Sequence, residues 1–196
     1  MKRANKLVGT PCVTPHRMQV RAATLEETPV VARILGAAAR DLRKRGVELW
    51  SEAEVSEPAV APHVRDGMYY LAFDGEVAVG VFRLQPRDPD FWPEIADGSS
   101  VYLHKLAVLP ERRGHGVAQQ LLAAAANLAR ADGKLFLRLD CMGGRPGLKT
   151  VYENFGFRHH SQMVLGGQVF ERFELELARD DARRQRIPCP NAPSRI

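Results

Sequence analysis

The chain has 196 residues, 45% hydrophobic and 26% charged, which suits one globular domain with a sizeable core and excludes wholesale disorder. Its formal charge is +5, but residues 1–17 hold four basic side chains and no acid, and residues 178–196 hold five arginines against two aspartates, leaving the body at −2. The basic charge therefore lies in two tails, read as a disordered leader and a disordered Pro-rich tail around a domain at 18–177, and no basic face speaks for nucleic acid. Neither a secretory h-region nor an apolar run of the ~20 residues that span a bilayer is present. Cys12, Cys141 and Cys189 fit no disulfide framework and no zinc spacing, so a cytoplasmic protein without a metal is expected.

In chain order, "MQVRAAT" alternates as a first strand, and Thr24 with Glu27 forms a capping-box signature before a helix carrying Val30, Val31, Ile34, Leu35 and Ala38. Helical signals are weak over 51–66. "MYYLAFDGEVAVGVFRLQP" reads as two strands turning at Asp74-Gly75. Residues 86–100 form a loop rich in Pro, Asp and aromatics. A strand, "VYLHKLAVL", follows, then a helix, "VAQQLLAAAANLARAD", ended by Gly133, and a strand, "KLFLRLDC". A short helix within "GLKTVYENFGF" stops at Gly156, and two last strands, about 157–165 and 168–177, meet at Gly166-Gly167. Hairpins mixed with strand–helix–strand units predict an α/β protein: a mixed, mostly antiparallel sheet of about seven strands with helices on both faces.

The stretch "PERRGHGVAQQLL" builds a glycine turn into a helix start, where unpaired N–H groups and partial positive charge suit a phosphate. A Walker A loop fails, because Val117-Ala118 stands where Lys-Ser/Thr is needed. A dinucleotide fingerprint is the closer rival, with Asp140 ending the next strand, but Gln119 occupies its third glycine position. The third pattern is Arg-x-x-Gly-x-Ala, here Arg113, Gly116 and Ala118.

With "KLAVLPERRGHGVAQQLL" and "YENFGF", the sequence resembles the GNAT superfamily of coenzyme A-dependent N-acetyltransferases over roughly 18–177, within a bacterial subgroup of unassigned substrate. The resemblance implies acetyl-CoA as donor, a primary amine of a small acceptor, and direct attack in a ternary complex. It also implies a splay between the fourth and fifth strands, where the pantetheine arm bonds to Leu106, Ala107 and Val108. The pyrophosphate falls on Arg113, Gly114, His115, Gly116, Val117 and Ala118, with one of Arg112 and Arg113 reaching a phosphate. Tyr152 matches the tyrosine that protonates the departing thiolate. Relatives commonly carry an Asn before that tyrosine, where Arg145-Pro146 stands here.

"LHKLAV" is similar to the histidine-bearing strand of arylalkylamine N-acetyltransferases, which makes His104 the candidate base against a core histidine bonded to a carbonyl. Strand parity places His104 on the side of Tyr102, Leu106 and Val108. Glu94 is the reserve base, and the Val108 N–H the oxyanion donor. Phe91 and Trp92, among Asp88, Asp90, Glu94 and Asp97, are expected to line a pocket for a cationic acceptor. Cys141 reads as a buried filler and His159-His160 as surface. Neither nucleic acid nor a membrane is expected as a partner, and monomer and homodimer both stay open. The alternative function is a catalytically silent acyl-CoA-binding sensor of the same fold.

Overall fold

A computed structural model describes residues 18–95 and 97–177; both tails, with Cys12 and Cys189, lie outside them. Seven strands form one sheet: β1 (Gln19–Ala22), β2 (Tyr69–Asp74), β3 (Val77–Gln85), β4 (Ser100–Val108), β5 (Phe136–Met142), β6 (Arg158–Leu165) and β7 (Gln168–Glu176). Their order is β1-β2-β3-β4-β5-β7-β6, and β4–β5 is the parallel pair. β7 thus lies between β5 and β6 and pairs antiparallel with both. The β6–β7 turn is made by Gly166 and Gly167, whose φ of 59° and 80° both fall in the left-handed region that a two-residue hairpin of this hand requires.

Helices cover both faces: α1 (Thr28–Lys44) and α2 (Glu57–Arg65) on one, α3 (Val117–Ala131) and α4 (Pro146–Phe155) on the other. α1 buries Val31, Ile34, Leu35 and Ala38 of the expected stripe, with Ala39 besides, and leaves Val30 only partly buried. The Thr24 N–H donates to Glu27 at 2.9 Å, and this bond opens a 3-10 turn that runs into α1. α2 gave only a weak helical signal because Pro58 and Pro62 interrupt it; Pro58 sits in the first turn, where no amide bond is lost. Among the described residues, no helix is long and apolar enough to cross a membrane.

Two irregularities in β4 shape everything that follows. Pairing with β5 runs only from Ser100–Phe136 to Leu103–Leu139, after which the strands part. This is the expected splay. On the other edge, Arg83 pairs with His104 but Val81 with Ala107, so β4 carries one extra residue. The bulge holds Lys105 at φ 52°.

The bulge overturns the parity expected for this strand. Leu103, Leu106 and Val108 all pack in the core under α3 and α4, whereas Ala107 packs under α1 and α2. His104 stands opposite Arg83, which shares its face with Val81 in the α1–α2 core. His104 therefore faces away from Leu106 and Val108. An inserted residue inverts the alternation, and no hydrophobic pattern announces it.

Candidate active site

The splay opens into a cavity of about 870 Å³ that runs between the two helical layers. At one end lie Leu106, Ala107, Val108, Arg113, Ala118 and Tyr152. The Leu109 N–H donates to Val79 O at 2.9 Å, so the preceding Val108 N–H points away from β3, into the gap. Gly116, at φ 72°, is the N-cap of α3, and no side chain caps the helix. A Cβ at Gly114 or Gly116 would meet nothing within 4 Å, so the glycines leave the amides from Arg113 through Ala118 open to an approaching group. His115 is fully on the surface beside them.

Both neighbouring arginines are engaged: Arg112 bonds Asp74 at 2.9 Å, and Arg113 bonds Asp41 on α1. Each guanidinium expected to reach a phosphate is thus held by a carboxylate. Arg145, at the start of α4, lines the cavity instead, with a buried Nη1 that meets no partner among the described residues.

Tyr152 is buried against Phe157 and Phe173, and burial pushes its phenol well above the ordinary range. It therefore holds its proton at neutral pH and stands ready as a hydrogen-bond donor. Cys141 is buried too, and burial raises its thiol to about 11, the behaviour of a small packing residue.

The other end is a chamber floored by Arg83, His104 and Asp140 on adjacent strands β3, β4 and β5. Asp88, Pro89, Asp90 and Phe91 of the loop after β3 roof it. The Asp88 carboxylate turns the loop by accepting the Phe91 N–H, and its Oδ2 lies 2.9 Å from His104 Nε2. Asp140 Oδ1 approaches the other ring nitrogen at 3.7 Å. Neither contact is aligned as a hydrogen bond: Asp88 Oδ2, His104 Nε2 and Asp140 Oδ1 are all buried without a hydrogen-bond partner among the described residues. Burial, with Asp88 adding, lifts Asp140 to about 6, although His104 opposes the shift. The ligand atoms of the three lie within 4.8 Å of one another, close enough for one ion. However, the two carboxylates address different ring nitrogens. That arrangement serves a proton and a donor group better than a metal, which would take one nitrogen.

Asp88 and Asp140 were not singled out as partners of His104 in the sequence. The signal was available only through register, since Tyr102 pairs with Arg138 and so places Asp140 two residues on, level with His104. The reading of His104 as a core histidine bonded to a carbonyl is replaced by one set between two carboxylates.

The loop aromatics divide. Phe91 lines the chamber, tilted against His104 and edge-on to Phe170. Trp92 does not: it is 1% exposed, with the Arg138 and Arg172 guanidiniums 5.2 and 4.7 Å from its ring and His160 against it. It anchors the loop to the sheet. Glu94 is also outside the cavity lining, bonded to Arg172 at 2.7 Å, and so is not placed to take a proton. His159 lies on the surface, bonded to Glu171 at 2.6 Å.

The sequence profile described as the acetyltransferase (GNAT) family matches residues 32–157. An uncharacterized N-acetyltransferase of Bacillus subtilis (strain 168), YesJ, is 25% identical over 156 residues, covering 76% of this chain and 87% of its own. A GNAT-family acetyltransferase from Listeria monocytogenes superposes with a TM-score of 0.70 at 21% identity, over 82% of this chain and 95% of that one. An N-acetyltransferase from Thermoplasma acidophilum, solved in complex with coenzyme A, gives 0.63 at 16% identity, over 80% and 98%. The splayed sheet, the glycine-capped α3 and the profile match over more than half of the sequence agree: this chain belongs to the acetyltransferase (GNAT) family.

Proposed function

We propose that this chain transfers the acetyl group of acetyl-CoA to the primary amine of a small acceptor that docks as its ammonium, by direct attack in a ternary complex. The observation that carries the reading is the convergence of Asp88 Oδ2, His104 Nε2 and Asp140 Oδ1, three buried acceptor-capable atoms without partners at one end of the cavity that the splay opens. A protonated amine supplies the missing donors. Coenzyme A in the Thermoplasma relative supports the same donor at the other end.

The pyrophosphate rests on the amides from Arg113 through Ala118, and the pantetheine arm adds to the free edge at Leu106, Ala107 and Val108. The ammonium docks between Asp88 and Asp140, and His104 takes its proton. The amine nitrogen then attacks the thioester carbon. The Val108 N–H, aimed into the gap, stabilises the oxyanion. As the C–N bond completes, the C–S bond breaks; Tyr152, kept protonated by burial, hydrogen-bonds and protonates the departing sulfur and is reprotonated by the proton that the new amide nitrogen sheds.

The test is release of free coenzyme A from acetyl-CoA in the presence of an amine panel, with the acetylated product identified by mass spectrometry. Acceptor-dependent thiol release and a product 42 Da heavier than its amine, roughly the mass of one acetyl group exchanged for a proton, are expected. Tight acetyl-CoA binding with no release across the panel would favour the silent sensor instead.

A further inference from the structure

We infer that the acceptor is an amino acid-like zwitterion, whose anionic group is bound by Arg83 and Lys105 next to the carboxylates that hold its amine. The inference rests on the acetyl-transfer reading above and specifies its acceptor.

The chamber is bipolar. Arg83 lines it, makes no salt bridge with any carboxylate among the described residues, and has a buried Nε without a hydrogen-bond partner. Guanidinium groups brought under cover normally find a carboxylate or phosphate, because leaving one unpaired is costly. Lys105 stands beside it. The β4 bulge re-aims this residue, which plain alternation would send to the other face, so that it joins His104 in lining the chamber. Its ammonium lies 4.8 Å from the centre of the Trp50 ring and 3.6 Å from Glu54, a half-exposed acid already engaged with Ser51. Burial, with Arg83 adding, lowers the Lys105 ammonium below the ordinary range despite Glu54. His63, on the same wall, is lowered by burial and by Arg83, which favours its neutral form. That wall therefore sets two cations, Arg83 and Lys105, against one half-exposed carboxylate, Glu54, with Asp140 the next acid.

A purely cationic acceptor would satisfy Asp88 and Asp140 and leave Arg83 and Lys105 facing another cation. A zwitterion satisfies both walls. The spacing narrows the class further. Arg83 and His104 are directly paired across β3 and β4, a relation that puts Cβ atoms about 4.5–5.5 Å apart. Side chains that rise from neighbouring positions suit an acceptor whose anionic group lies near its amine, as in an amino acid. Phe91 and Phe170 offer an apolar wall for the side chain.

The experiment measures coenzyme A release with the standard L-amino acids, each beside its carboxamide and its decarboxylated amine. Expected is turnover of at least one amino acid, with its amide and amine slower by about tenfold or more. Arg83→Gln and, separately, Lys105→Gln should raise KM for that amino acid about tenfold and so shrink its advantage over the amide; an advantage kept in both variants would overturn the assignment of the anion to these two residues. If wild-type protein acetylates amides or amines as well as the amino acids, or only them, the zwitterion is wrong and the transferase reading stands. If no compound of either kind is acetylated by protein that binds acetyl-CoA, both readings fall.

Discussion

Asp140 connects the site's chemistry to the protein's stability. Its carboxyl is raised to about 6 chiefly by burial, so the folded state prefers it protonated. The sign follows: its contribution to stability is full below the ordinary carboxylate range and is lost as pH rises through about 6. Asp140→Asn should therefore stabilise the fold at pH 8 by about 1–3 kcal/mol, a rise in Tm of several degrees, and by much less at about pH 4. Calorimetric scans at the two pH values decide it; an equal shift at both would mean the burial cost is not borne by the charge. The same variant should lose the rise in kcat/KM through pH 6, because the ammonium then lacks its ionised partner. His104→Ala and His104→Gln should both reduce kcat/KM by about 10²–10⁴-fold if the ring takes the proton, with coenzyme affinity unchanged. A Gln variant that keeps most of the activity would reduce His104 to packing. For Tyr152→Phe, turnover should fall by about 10²-fold or more while coenzyme binding survives, since the ring contacts with Phe157 and Phe173 remain. Turnover within a few-fold of wild type would assign thiolate protonation to water.

At the scale of elements, the α3 start and the β4 bulge do the positioning. Gly116→Asp places a carboxylate at a left-handed N-cap that Asp tolerates, in front of the open amides. Coenzyme A affinity should fall about tenfold or more by titration calorimetry, with Tm lowered by a few degrees because of the positive φ; unaltered affinity in the folded variant would move the pyrophosphate elsewhere. The turn and the helix start were readable in the sequence because local chemistry dictates them: a glycine turn followed by a helical period has few other outcomes. The two hairpins, marked by Asp74-Gly75 and Gly166-Gly167, were readable for the same reason. The acceptor chamber was not. It depends on one inserted residue, Lys105, and on strands 36 residues apart in sequence, His104 and Asp140, brought level by pairing at Tyr102–Arg138. Trp92 shows the other limit. Its loop composition is that of a binding surface, and only the guanidiniums of Arg138 and Arg172, from distant strands, draw the ring inward.

Across the whole molecule, the cavity keeps its shape because α3 is seated tightly on the sheet. A Cβ on Gly80 would come 2.9 Å from Leu121 Cδ1 and 3.2 Å from Ala107 O, so the helix rests on bare backbone at that point. Gly80→Val should cost about 1–3 kcal/mol and weaken coenzyme binding as α3 is pushed off, whereas Leu121→Ala should cost about 2–5 kcal/mol through the void it leaves. Denaturant titrations compare the two; a Gly80→Val variant as stable as wild type would show that the contact yields freely. The placement of β7 between β5 and β6 has a consequence of another kind. On the ribosome, β5 and β6 emerge before the strand that must separate them. Until Gln168–Glu176 has left the exit tunnel, the β5 edge from Phe136 to Met142 is a row of unanswered amides and carbonyls, and nothing yet stops β6 from occupying it. The sheet can therefore close only after nearly the whole domain has been synthesised, and a nascent chain stalled at the Gly166-Gly167 turn should be captured by chaperones rather than fold.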